Sequence, residues 1–156
     1  MKLVIVALLF SPALVFAKSP VQNIECKQYS NLYPNAPVAV KSIQITLDQE
    51  IDAFKGYNLY GLNADVTIEV TDSYAQSAGL DKTVYTYQNT RASKEPPMYS
   101  NEVKVKNNAI NLSLLPLRET SRGVEYEGTL DVSDGNLDLW LTQSFGERPL
   151  KCIGTN

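Results

Sequence analysis

The stretch Val124-Glu125-Tyr126-Glu127-Gly128-Thr129-Leu130-Asp131-Val132-Ser133-Asp134-Gly135-Asn136-Leu137-Asp138-Leu139-Trp140-Leu141-Thr142-Gln143-Ser144-Phe145 reads as a β-hairpin. Asp134-Gly135 is a favoured pair for a two-residue type I′ turn, whose twist matches that of the flanking strands. Centring the turn there pairs Ser133 with Asn136, Val132 with Leu137, Asp131 with Asp138, Leu130 with Leu139, Thr129 with Trp140, Glu127 with Thr142 and Val124 with Phe145. Opposed residues share a face. One face then carries Val124, Tyr126, Leu130, Val132, Leu137, Leu139, Leu141 and Phe145, and the other Glu125, Glu127, Thr129, Asp131, Asp138, Trp140 and Thr142. A one-residue slip would mix the two sets, so the clean sorting supports an antiparallel ribbon with one greasy side.

The same alternation recurs upstream. Ile43, Ile45 and Leu47 alternate with polar residues, as do Val66, Ile68 and Val70, and 82–88 is rich in β-branched and aromatic residues. A second hairpin turns at Asn107-Asn108 and pairs Val105 with Ile110 and Val103 with Leu112, with Lys104 and Asn111 on the opposite face. Strands are expected at 24–30, 38–47, 54–60, 64–72, 82–88, 102–106, 109–115, 123–133, 136–145 and 149–153, with loops at 31–37, 91–100 and 116–122. Short helical turns fit only 71–80 and 48–54. About eight to ten short strands with regular turn signals predict one all-β domain, an antiparallel barrel or a sandwich.

Residues 1–17 have the pattern of an export leader: Lys2, an apolar run over 3–16, and small residues at Val15 and Ala17. The run is too short for a stable membrane span. Cleavage after Ala17 leaves 18–156 as a single domain in an oxidising compartment, secreted or periplasmic. There Cys26 and Cys152 are expected to pair, tying the two ends of the domain together. With 17 acidic and 14 basic residues and no basic run, nucleic acid is a poor partner. The chain has no histidine, so imidazole-based nucleophile pairs and imidazole zinc sites are excluded. No catalytic motif, cofactor motif or metal-ligand spacing is present, and the chain is read as non-catalytic with no cofactor.

The candidate binding surface is the polar side of the 123–145 hairpin. Asp131 and Asp138 are expected to oppose one another, with Glu127 further along and Thr129 beside Trp140, the single tryptophan. An aromatic ring among carboxylates suits a basic group of a protein partner. Tyr85 and Tyr87, on one strand face, are the second pair of candidate contacts. Two alternatives share the same pattern: a carrier with a small ligand inside the barrel, and an outer-membrane barrel with Val124, Leu130, Leu139 and Leu141 towards lipid.

Overall fold

The computed structural model describes residues 21–29, 35–54, 62–95 and 101–155. The expected leader at 1–17, the expected strand 54–60 beyond Phe54, and Pro96-Pro97 lie outside them. The elements are β1 (Gln22–Gln28), β2 (Val40–Leu47), β3 (Leu62–Val70), α1 (Asp72–Ala78), β4 (Val84–Lys94), β5 (Val103–Lys106), β6 (Ile110–Thr120), β7 (Gly123–Ser133), β8 (Asp138–Leu141) and β9 (Leu150–Thr155).

Every strand pairing is antiparallel, and eight strands close a ring in the order β1, β2, β3, β4, β5, β6, β7, β9 and back to β1. The fold is therefore a barrel, and β8 pairs with β7 outside the ring. Alternation sends one set of side chains inwards: Ile43, Ile45 and Leu47 of β2, Val66 and Ile68 of β3, and Leu112 and Leu114 of β6 are all buried. An eight-stranded barrel has an interior about wide enough for side chains to fill. Leu130, Leu139 and Leu141 are buried in the same core, while Glu127, Thr129 and Asp131 face outwards between them.

The seam between the first and last strands carries the disulfide. Cys26 and Cys152 are direct cross-strand partners, with Cα atoms 4.0 Å apart although they are separated by 126 positions in sequence. Next to them Gly154 lies under Tyr126, where a Cβ would come within 3.0 Å of the ring.

Bulges explain the strands that run longer than the sequence pattern indicates. β4 continues to Lys94 because Asn89 adopts φ 56° and the register with β3 steps from Ala64↔Thr90 to Val66↔Tyr87. The extra residue swaps the faces, so Tyr85 and Tyr87 point inwards before the bulge and Thr90, Ala92 and Lys94 after it. In β6 the register skips Leu117, which lets Pro116 sit in a strand where a loop is expected. Thr71 caps α1 by accepting the Tyr74 N–H at 3.3 Å, and Gly79 at φ 67° ends it. No second helical turn forms at 48–54.

Both hairpins keep their expected faces but shift register by two residues. Leu130 opposes Leu141, Asp131 opposes Trp140, Val132 opposes Leu139 and Ser133 opposes Asp138. In the other, Val105 opposes Leu112 and Val103 opposes Leu114. The cause is the same in each. Asp134 Oδ1 accepts the N–H groups of Asn136 and Leu137, both at 2.8 Å, and Asn107 Oδ1 accepts those of Ala109 and Ile110 at 2.7 and 2.9 Å. These Asx turns displace the reversal towards the second strand. In the first hairpin they make a four-residue loop, 134–137, that drops Leu137 into the core.

Candidate functional site

The shifted register rebuilds the expected surface. Asp131 and Asp138 are not opposed. Asp138 instead sits across from Ser133, whose Oγ donates to it at 3.2 Å. Thr129 faces Ser113 of β6 and not Trp140, and Glu127 lies between Leu115 and Lys151 and not beside Thr142. Because a shift of two preserves the side-chain period, Glu127, Thr129, Asp131, Asp138 and Trp140 still share the outer face. Trp140 is 60% exposed there, beside the carboxylate of its cross-strand partner.

The carboxylates fall into two groups. Glu127 is ion-paired with Lys151, and Glu125 with Arg118 at 2.7 Å. Asp131 and Asp138 have no cationic partner among the described residues. The anionic character of this wall is thus concentrated on the two aspartates that flank Trp140.

Backbone parity defines the edge. Ser133 N–H donates to Ala109 on the β6 side at 2.9 Å, so the Ser133↔Asp138 and Asp131↔Trp140 pairs are not hydrogen-bonded to each other. The main-chain groups of Asp138 and Trp140 therefore point away from β7. Tyr74 of α1 takes up one of them, its hydroxyl donating to the Asp138 carbonyl at 3.0 Å.

After Leu141 the chain leaves the wall, and Leu150 resumes the same position beside β7, opposite Gly128. β8 and β9 are thus two pieces of one strand position, interrupted by the excursion 142–149. Its tip is a two-residue turn, Phe145-Gly146, closed by reciprocal bonds of 3.0 and 2.9 Å between Ser144 and Glu147. Its base is fixed by Arg148, which ion-pairs with Glu102 just before β5. An open groove of about 510 Å³ separates the excursion from the outer face of β5 to β7; Lys104, Asn111, Ser113 and Asp131 contribute to its lining. Phe145, expected on the apolar face opposite Val124, is 87% exposed at the tip, because the strand ends four residues before it and Gly154 occupies the place beside Val124.

Tyr85 and Tyr87 are apart from this surface, in the barrel interior. The Tyr85 hydroxyl donates to the Lys82 carbonyl at 3.2 Å. Burial pushes both phenols up, and at Tyr87 the neighbouring Asp134 carboxylate adds to the effect. Asp134 itself is held below the usual carboxylate range: burial opposes this, but the Leu137 and Asn136 amides and the Tyr87 hydroxyl outweigh it. The same carboxylate therefore acts on the interior phenols through its charge and sets the loop that leads into β8. At the far end of β4, buried Lys94 donates to the Asp52 carbonyl at 2.8 Å.

The exposed position of Phe145 and the Arg148–Glu102 tether are not legible in the sequence, where Phe145 reads as an apolar-face residue opposite Val124; Gly146, a turn former inside an otherwise strand-like run, is the one trace. No cluster of three or more metal-ligating side chains occurs among the described residues, and no helix among them is long and apolar enough to cross a membrane. No protein-family model, curated protein or solved structure matches this chain.

Proposed function

We propose that the chain is an exported, non-catalytic β-barrel that binds a protein partner through the outer face of β7 and β8, with a basic segment of the partner against Asp131 and Asp138. The observation that carries this reading is an exposed tryptophan between two aspartates that form no ion pair among the described residues, on a wall whose glutamates are ion-paired. Exposed aromatics of this kind act as binding hot spots, and unpaired carboxylates beside them speed encounter with a cationic partner. The disulfide is compatible with the oxidising compartment that the leader-like 1–17 sequence implies. Packed inward side chains weigh against a ligand carrier, and the polar outer wall against a lipid-facing barrel, which needs an apolar band outside.

The test is affinity capture from the compartment of origin with the wild-type chain, Trp140→Ala and the Asp131→Asn/Asp138→Asn double variant. A partner held by the wild type should be lost with both variants and weakened by salt. Equal recovery by all three would refute the assignment of this face.

A further inference from the structure

The excursion 142–149 combines three features that rarely coincide in a simple connector. Its tip residue is a large aromatic, almost wholly exposed. That residue has a backbone ill suited to it: Phe145 is at φ 51° and Gly146 at φ 82°, the two positive values of a type I′ turn. The first central position of such a turn favours Asn, Asp or Gly, and a bulky residue held there is a conformational outlier. The turn is nonetheless well fixed, by the reciprocal Ser144–Glu147 bonds at its neck and the Arg148–Glu102 pair at its base, whose side chains are only 17% and 15% exposed.

A residue that violates local preference and buries nothing contributes little to folding. Strain of this kind, held in place by the surrounding structure, clusters at sites of recognition. Rigid presentation also lowers the entropy lost on association, which favours an anchor held in its bound conformation. The groove beside the excursion is lined by its own Thr142, Gln143 and Arg148 and by Asp131, the cross-strand partner of Trp140, so the excursion borders the face that carries the aspartate and the tryptophan.

From these observations we infer that Phe145 is a preorganised anchor that inserts into a concave apolar pocket of the same protein partner, with Asp131 and Asp138 meeting basic residues on the rim of that pocket. The inference rests on the proposed protein-binding reading and specifies how the partner is engaged. Arg148 and Glu102 are positioning residues for the anchor.

The experiment uses the full chain in its own host, with the photo-crosslinking residue p-benzoylphenylalanine placed at position 145, at Thr129 on the outer face of β7, or at Val84, an exposed control on β4. Position 145 should give an adduct that maps to residues lining an apolar concavity of one protein, position 129 an adduct with the same protein, and position 84 none. Phe145→Asn, combined with the crosslinker at 129, should remove that adduct and weaken binding about 30-fold or more, as expected of a central anchor. The same substitution relieves the turn and should raise the thermal midpoint by about 2–4 °C, which separates lost recognition from lost folding. Arg148→Gln should weaken binding less than Phe145→Asn, because Phe145 remains but is less well held.

An adduct at 129 that survives Phe145→Asn, or an adduct at 129 with none at 145, overturns the anchor and leaves the face reading intact. Adducts at neither position overturn both. An adduct from 145 that maps to a flat or charged surface overturns the pocket.

Discussion

Trp140 and Asp131 stand directly opposite each other in a pair that is not hydrogen-bonded across the β7–β8 ladder. In such pairs the Cα atoms lie about 4.5 Å apart and the side chains come closest. The indole is therefore exposed within the field of an unneutralised carboxylate, with Asp138 two residues away on the same face. Because this is the single tryptophan, its fluorescence reports that field alone. Emission should be that of a solvated indole. At low ionic strength, Asp131→Asn/Asp138→Asn should lower the quenching constant of caesium by about two- to threefold and raise that of iodide, because an attraction of several tenths of a kcal/mol for the cation is removed. Identical constants in the two proteins would show that the aspartates do not act at the ring.

Asp134 sets the β7–β8 register through two accepted amides, so Asp134→Ala should cost about 1–2 kcal/mol. Asn107→Ala removes the equivalent pair in the β5–β6 hairpin and should cost about 1 kcal/mol. The two differ with pH. Asp134 titrates below its unfolded value, so its contribution is present above the ordinary carboxylate range and is lost as pH falls through the depressed folded pKa. The Asp134→Ala penalty in urea unfolding should therefore shrink in acid, while the Asn107→Ala penalty should not.

The two hairpins also show what a sequence can specify. Period-two patterning fixes which side chains face inwards, and that held for the strand residues Leu130 to Ser133 and Asp138 to Leu141. Patterning does not distinguish registers that differ by two, because both keep the faces. The deciding signal was the ability of Asn107 and Asp134 to accept amides two and three residues on, which outweighed the Asp-Gly preference. The disulfide was legible because only two cysteines exist to pair. The excursion was not, because Thr142 and Ser144 continue the polar alternation after the strand has ended. Closure into a ring was open too: it depends on β7 pairing with both β6 and β9 while β9 pairs with β1, a tertiary relation with no local trace. Nor did local pattern place Lys94 inside, since that follows from the bulge at Asn89.

Cys26–Cys152 staples the one seam that joins strands from opposite ends of the sequence. Removing a crosslink of this span relaxes the unfolded chain by up to about 5 kcal/mol, and measured losses usually fall nearer 2–5 kcal/mol. Cys26→Ala/Cys152→Ala should lower the urea midpoint accordingly and raise m, because the unfolded chain without the crosslink is less compact and exposes more surface. An increase in the exchange of the β1 and β9 amides, with those of β3 and β4 retained, would show that the seam opens first.

Alkaline unfolding should be led by the phenols inside the barrel. Burial pushes the Tyr126 hydroxyl up to about 12, against the opposing effect of the Gln22 amide, and raises Tyr85 and Tyr87 as well. A raised folded pKa gives stability that is fully present below the unfolded value near 10 and is lost as pH climbs through the folded one. For Tyr126 alone the two-unit gap corresponds to about 3 kcal/mol. Lys94 acts in the other direction: burial lowers its pKa against the pull of Asp52, so stability gained from its deprotonation accrues between that lowered value and 10.5. Stability should therefore rise slightly towards pH 10 and then fall steeply. Lys94→Met should abolish the rise and leave the fall, while Tyr126→Phe should make the fall shallower. In a spectrophotometric titration, phenolate absorbance from three of the nine tyrosines should appear only as the far-ultraviolet β signal collapses. Full ionisation of all nine with the barrel still folded would mean that water reaches the interior phenols.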